Sequence, residues 1–184
     1  MTTLTTTAAE KTANAIFAAG CFWCAEHDFA KLEGVKEVIS GYSGGQEVNP
    51  TYEEVSSGTT GHFEAIKVVY YPDKIHYEEL LTFFWHNIDP LDANGQFCDK
   101  GKQYRAVIFY GSEAEKKLAE ESKNQLIKSG RFNNIATLIL PASAFYPAEN
   151  YHQHYSEKNP LRYRFYRYTC GRDQRLKEVW GDEL

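Results

Sequence analysis

The sequence predicts a single α+β domain with a central mixed sheet and helices packed on it. Three observations carry this expectation. Short apolar, strand-like runs alternate with helix-like stretches, so sheet and helices must share one core. The spacing of these runs is uneven and the loops between them are long, which favours a mixed sheet. No internal repeat or linker divides the chain, and 184 residues suit one domain with a sizeable core.

The elements follow in order. Residues 1–14 are rich in Thr and Ala, with no charged stretch leading into an apolar one. They read as a disordered tail, not a secretory signal. Residues 15–19 form a short buried strand. Gly20 marks a turn, and residues 21–32 form a helix. A second strand spans 35–41. The run from Gly41-Tyr42-Ser43-Gly44-Gly45 to Asn49-Pro50-Thr51-Tyr52 is a long loop. Residues 64–70 alternate as a strand stopped by Pro72, and 75–87 form a helix stopped by Asp89-Pro90. Residues 92–102 are a polar loop, and 104–110 a strand. Ser112 opens a charged helix to about residue 129, with Glu115 completing a capping box. Residues 137–140 are a short strand before Pro141, and helical and irregular segments follow Tyr146.

Composition narrows the function. A net charge of -5 argues against a nucleic-acid partner. No apolar run reaches transmembrane length, so no membrane role is expected. The four cysteines, Cys21, Cys24, Cys98 and Cys170, come without a secretory signal. That predicts a cytoplasmic protein without a permanent disulfide framework.

The chemistry centres on Cys21. It follows a glycine turn at a helix start, where free N–H groups and the dipole favour an anion. This predicts a lowered thiol pKa and a reactive thiolate. Cys24, at i+3, is close enough for a redox pair after modest relaxation in the first turn. No second C-x-x-C completes a structural zinc site, so neither metal nor cofactor is expected.

Proton donors come from elsewhere in the chain. Alternation puts Glu64 on the face of Ile66, Val68 and Tyr70, with Lys67 on the other. A carboxyl on an apolar face loses solvation, its pKa rises, and it becomes a general acid. Tyr104 shares a strand face with Ala106, Ile108 and Tyr110, so its hydroxyl needs a buried partner. Tyr52 and Asp99 lie on the two long loops. Phe22 and Trp23 flank the thiol as an apolar wall suited to a methyl group. His152 and His154 have no acidic or cysteine neighbour at ligand spacing and read as structural. The basic-aromatic stretch 162–168 reads as an irregular tail stacked on the domain, and 113–128 as a solvated helix face.

Together these residues resemble the peptide-methionine sulfoxide reductase A family. The matching motifs are Gly20-Cys21-Phe22-Trp23, Gly41-Tyr42-Ser43-Gly44-Gly45, Asn49-Pro50-Thr51-Tyr52, Gly61-His62-Phe63-Glu64, Asp99 through Tyr104-Arg105, and Tyr151-His152-Gln153 leading to Lys158-Asn159-Pro160. The resemblance implies a ferredoxin-like two-layer core in a catalytic domain over 15–184 with an irregular C-terminal segment. It implies reduction of the S epimer of methionine sulfoxide, free or in oxidised proteins and peptides, by a monomer that thioredoxin recycles. Carried over, Cys21 is the nucleophile, Glu64 the proton donor to the sulfoxide oxygen, and Tyr52 and Tyr104 its hydrogen-bonding partners. Asp99 arranges substrate and site, Phe22 and Trp23 hold the methyl group, and His152 joins the substrate-binding set. The chain departs from the commonest pattern, which has Gly at the position of Cys24. Cys24 is therefore expected to resolve the sulfenic acid first and Cys170 next, with Cys98 unassigned.

Two other classes compete. A general thiol–disulfide oxidoreductase follows from strand, C-x-x-C and helix alone, but leaves Glu64 and the tyrosines unexplained. A redox-sensing or peptide-binding module would modify its thiol without turnover.

Overall fold

A computed structural model of the chain describes residues 11–181. Most of the tail expected over 1–14 lies outside the described residues, but its last four residues do not, and the last two of these are in a strand. That strand is β1, Ala13–Ala18.

The chain continues through α1 (Phe22–Phe29), β2 (Val35–Ser43), α2 (Tyr52–Ser56), β3 (Phe63–Tyr70) and α3 (Tyr77–His86). A two-residue hairpin follows, β4 (Gly95–Gln96) with β5 (Asp99–Lys100), then a 3-10 turn, Lys102–Tyr104. Next come β6 (Val107–Tyr110), α4 (Glu113–Lys128), β7 (Leu138–Pro141) and β8 (Tyr146–Pro147). The chain then runs through α5 (Tyr155–Lys158), α6 (Pro160–Thr169) and α7 (Arg172–Trp180).

The main sheet has the order β7-β6-β1-β3-β2-β8. Its central four strands are antiparallel, and β7 adds parallel to β6. The path β1-α1-β2-β3-α3-β6 with order β6-β1-β3-β2 is the ferredoxin-like arrangement, so the predicted mixed α+β fold is the observed one.

Alternation along the strands divides the core. Phe17, Ile66, Val68 and Ile108 pack against α1 and α3. Phe17 stacks on Phe29 at 5.4 Å and Phe84 at 5.2 Å. The opposite face carries a smaller cluster of Ala18, Ala65, Val107 and Phe109, covered by Leu138, Leu140 and Phe145.

Three expectations change. Tyr104 is not on a strand: it ends the 3-10 turn, and β6 begins only at Val107. The Ser112 cap is half a capping box. Ser112 accepts from the Glu115 N–H, but the Glu115 carboxylate accepts from Gly111 instead. The segment 162–168 is not irregular. It lies in α6, opened by Pro160 at the first turn, where a missing N–H costs nothing.

Candidate active site

The sharp turn from β1 into α1 sets the position of Cys21. Gly20 has φ +82°, and a Cβ there would come within 2.7 Å of Gln96 Cβ. Gly20→Ala is therefore expected to cost about 1–3 kcal/mol of stability and to displace the thiol. Urea unfolding measured beside the sulfoxide-reduction rate checks both effects. Cys21 is the N-cap residue, and its carbonyl accepts from the N–H groups of Cys24 and Ala25.

Glu64 reaches the same place from the sheet. It lies on β3 opposite Tyr42 of β2 and is 2% exposed. It shares the apolar face with Ile66, Val68 and Tyr70, as the alternation predicts. Its Oε2 accepts the Phe22 N–H at 3.0 Å. Burial outweighs that bond and raises its pKa to about 8. The carboxyl is thus protonated at neutral pH.

A cavity of about 70 Å³ brings together Cys21, Phe22, Trp23, Tyr52, Glu64, Asp99, Tyr104 and Tyr166. The size suits a small sulfoxide head group. Tyr52 opens α2, a helix fixed by the Thr51–Glu54 capping box, and its N–H donates to Glu149. Burial and the nearby Glu64 charge raise the pKa of both Tyr52 and Tyr104. Both phenols therefore remain donors. Burial also raises Asp99, while bonds to Tyr166 and the Arg172 and Lys100 charges pull it back.

His152 stands behind this lining, not in it. Its Nδ1 accepts from Trp23 Nε1 at 3.0 Å, and its ring lies 5.0 Å from Phe22 and 4.4 Å from Tyr52. Burial lowers its pKa, so the neutral imidazole acts as an acceptor that orients the indole.

The Cys21 thiol overturns the expected pKa. The residue is 7% exposed. Burial pushes its pKa well above that of a free thiol, and Cys24, Glu64 and Asp99 add to the rise. The helix start does not compensate, because the Phe22 N–H is already given to Glu64. Cys24, also buried, is lowered by its hydrogen bond with Cys21 and by Arg172 and Arg167.

Cys98 and Cys170 are joined in a disulfide, whereas Cys21 and Cys24 are free thiols. Cys98, left unassigned from the sequence, thus pairs with Cys170, the expected second resolver. Separated by 72 residues, the two cysteines meet only because α6 returns to the β4–β5 hairpin. Among the described residues, one group with metal-ligand chemistry gathers within 4.8 Å: Cys98, Asp99 and Cys170. Its two sulfurs are bonded to each other, so it reads here as a redox group.

Sequence reasoning missed Tyr166 and Arg172. Tyr166 enters the pocket from α6, and its phenol donates to Asp99 Oδ2 at 2.5 Å. Arg172 is 1% exposed and donates to the carbonyls of Ala19 and Asn87. For Tyr166 the interleaved Arg and Tyr of 162–168 was the one visible signal, and it read as an irregular tail stacked on the domain.

The family model for peptide methionine sulfoxide reductase matches residues 13–184. The chain is 52% identical over 173 residues to peptide methionine sulfoxide reductase MsrA of Bacillus subtilis (strain 168), covering 94% of this chain and 98% of that protein. Its fold matches the crystal structure of reduced Mxr1 from Saccharomyces cerevisiae with a TM-score of 0.75. Identity there is 38%, over 82% of this chain and 87% of that one. Mxr1 in complex with Trx2 matches with a TM-score of 0.52 and 29% identity, over 79% and 85% of the two chains.

Proposed function

This chain belongs to the peptide methionine sulfoxide reductase family, and from that membership we propose how its residues carry the reaction. The substrate is the S epimer of methionine sulfoxide, free or within oxidised proteins and peptides. The observation that carries the reading is one small cavity holding a thiol, a protonated carboxyl and three phenols beside an aromatic wall. A sulfoxide is a weak electrophile with a poor leaving oxygen. It needs a sulfur nucleophile on one side and proton donors on the other.

Cys21 attacks the sulfoxide sulfur while Glu64 protonates the oxygen, and Tyr52 and Tyr104 donate hydrogen bonds to it. Phe22 and Trp23 hold the methyl group, with His152 holding Trp23. The resting site carries two protons, on Cys21 and on Glu64. The Cys21 proton replaces the one Glu64 gives up, so the step is neutral overall. The hydroxyl so formed passes from the methionine sulfur to the Cys21 sulfur as the sulfur–sulfur bond between them breaks, so methionine leaves and Cys21 becomes a sulfenic acid.

Cys24 then displaces water to form a Cys21–Cys24 disulfide. Its nearness to Cys21, close enough for a hydrogen bond between the two sulfurs, supports it as the first resolver. Cys170 and Cys98 receive the disulfide by exchange, which leaves Cys21 and Cys24 as thiols. A structure with Cys98–Cys170 bonded and the other two free is consistent with that order of transfer. Cys98 is exposed, so a dithiol protein of the thioredoxin class can reach it. The Mxr1 complex with Trx2 supports that class of partner. No helix among the described residues is long and apolar enough to cross a membrane. The same reading has the enzyme acting as a cytoplasmic monomer.

Two measurements test this. A methionine sulfoxide peptide with dithiothreitol should yield methionine catalytically. Insulin reduction without sulfoxide turnover would support a general disulfide oxidoreductase instead. Mass mapping after one turnover of the fully reduced Cys98→Ser/Cys170→Ser variant should find Cys21–Cys24. A persistent sulfenic acid on Cys21 would remove Cys24 as resolver.

A further inference from the structure

Tyr166 is given no role above, yet it forms one wall of the cavity and its phenol is in hydrogen-bond contact with the Cys21 sulfur. Its ring meets Trp23 edge-on at 5.8 Å, and its phenol donates to Asp99 Oδ2. Asp99 needs such support. It begins a two-residue strand paired only with β4, far below the size of a self-sufficient hairpin.

A second tie lies beside the first. Cys98 precedes Asp99, and Cys170 lies one helical turn beyond Tyr166. These two are joined covalently. The Cys170 Sγ lies 4.0 Å from both Asp99 Oδ2 and the Tyr166 hydroxyl. Two adjacent loop residues are therefore fastened to two positions one turn apart on the C-terminal helical segment. Nearby, Arg172 stacks over Phe97 at 4.6 Å. With Oδ2 occupied by Tyr166, the other carboxylate oxygen is left to accept a substrate N–H.

We propose that Tyr166 is a positioning residue for sulfoxide reduction: it orients the Asp99 carboxylate toward substrate, and the Cys98–Cys170 disulfide holds the two together. The proposal rests on the activity proposed above.

Single-turnover kinetics with a methionine sulfoxide peptide and no external reductant test it. The starting protein carries the Cys98–Cys170 bond and free Cys21 and Cys24. Tyr166→Phe is expected to raise the half-saturating peptide concentration about tenfold, the scale of one lost hydrogen bond to a charged group. The limiting rate is expected to stay within about threefold. The Cys98→Ser/Cys170→Ser variant, which loses the covalent tie, should shift half-saturation in the same direction. Tyr168→Phe, at an exposed position of the same helix, should match the parent. An unchanged half-saturation in Tyr166→Phe overturns the proposal. So does a fallen limiting rate at unchanged half-saturation, which would put the phenol on the reacting atoms. Should Tyr166→Phe not fold, an unchanged half-saturation in the double serine variant overturns it instead. Failure of the parent to reduce the peptide, or turnover by Cys21→Ser, would reject the activity itself and is seen without any Tyr166 variant.

Discussion

Cys21→Ser is expected to lower sulfoxide reduction by about 10⁴-fold or more, the scale seen when a nucleophile is removed. A serine hydroxyl in this buried cavity ionises far less readily than a thiol. It also cannot form the sulfenic acid that Cys24 resolves. The fold should survive, because position 21 is the N-cap of α1 and serine is a favoured N-cap residue. Chromatographic quantification of methionine, with circular dichroism as a check on folding, decides it. Residual turnover above a few per cent of the parent rate would move the nucleophile elsewhere, with Cys24 the nearest thiol.

Glu64→Gln should separate activity from stability. A lost general acid costs typically about 10²–10⁴-fold in rate, and glutamine has no acidic proton to give. Its side-chain oxygen can still accept the Phe22 N–H. The parent rate should fall as pH rises through about 8, where Glu64 deprotonates. The variant's low residual rate should lack that step.

Stability should move the other way. The folded carboxyl keeps its proton to about pH 8, whereas its ordinary value is 4.5. Between these values the folded state binds more protons than the unfolded one. The parent is therefore most stable, as far as this group is concerned, below the unfolded pKa. It loses stability as pH rises and has lost the full contribution above about pH 8. The interval corresponds to roughly 5 kcal/mol. Glutamine does not titrate, so Glu64→Gln should be relatively more stable at pH 9 than at pH 5 in paired urea unfolding curves. A stability difference that stays constant with pH would show that Glu64 is not buried as a neutral acid.

Legibility followed the range of the interactions. The Glu64 face could be read because strand alternation is local: residues 64, 66, 68 and 70 share a side whatever the rest of the chain does. The Gly20 turn and the start of α1 were local in the same way. Tyr104 reached the right cavity for the wrong reason. Its apparent alternation with Ala106 and Ile108 extends past the end of β6, and the 3-10 turn carries it instead. The helical character of 160–169 was obscured by its many aromatic residues, whose helix propensity is modest. Packing against Trp23 and the ion pairs of Arg167 with Asp28 and Asp173 accompany the helix there.

The pKa of Cys21 shows the limit most clearly. A helix start favours a thiolate, and that much is written in the sequence. Whether the free N–H groups actually serve the thiol depends on what else arrives. Here Glu64, from a strand 42 residues away, takes the Phe22 N–H. Burial then reverses the direction of the shift.

By itself, the sequence determined the α+β class, the thiol at a glycine turn, the carboxyl on an apolar strand face, and the aromatic pair beside the thiol. Each depends on spacing within one element. Only the tertiary structure decided that Cys98 pairs with Cys170, that Tyr166 lines the cavity with Arg172 buried behind it, and that burial raises the pKa of both Cys21 and Glu64. Those outcomes depend on long-range closure and on desolvation, which no local pattern encodes.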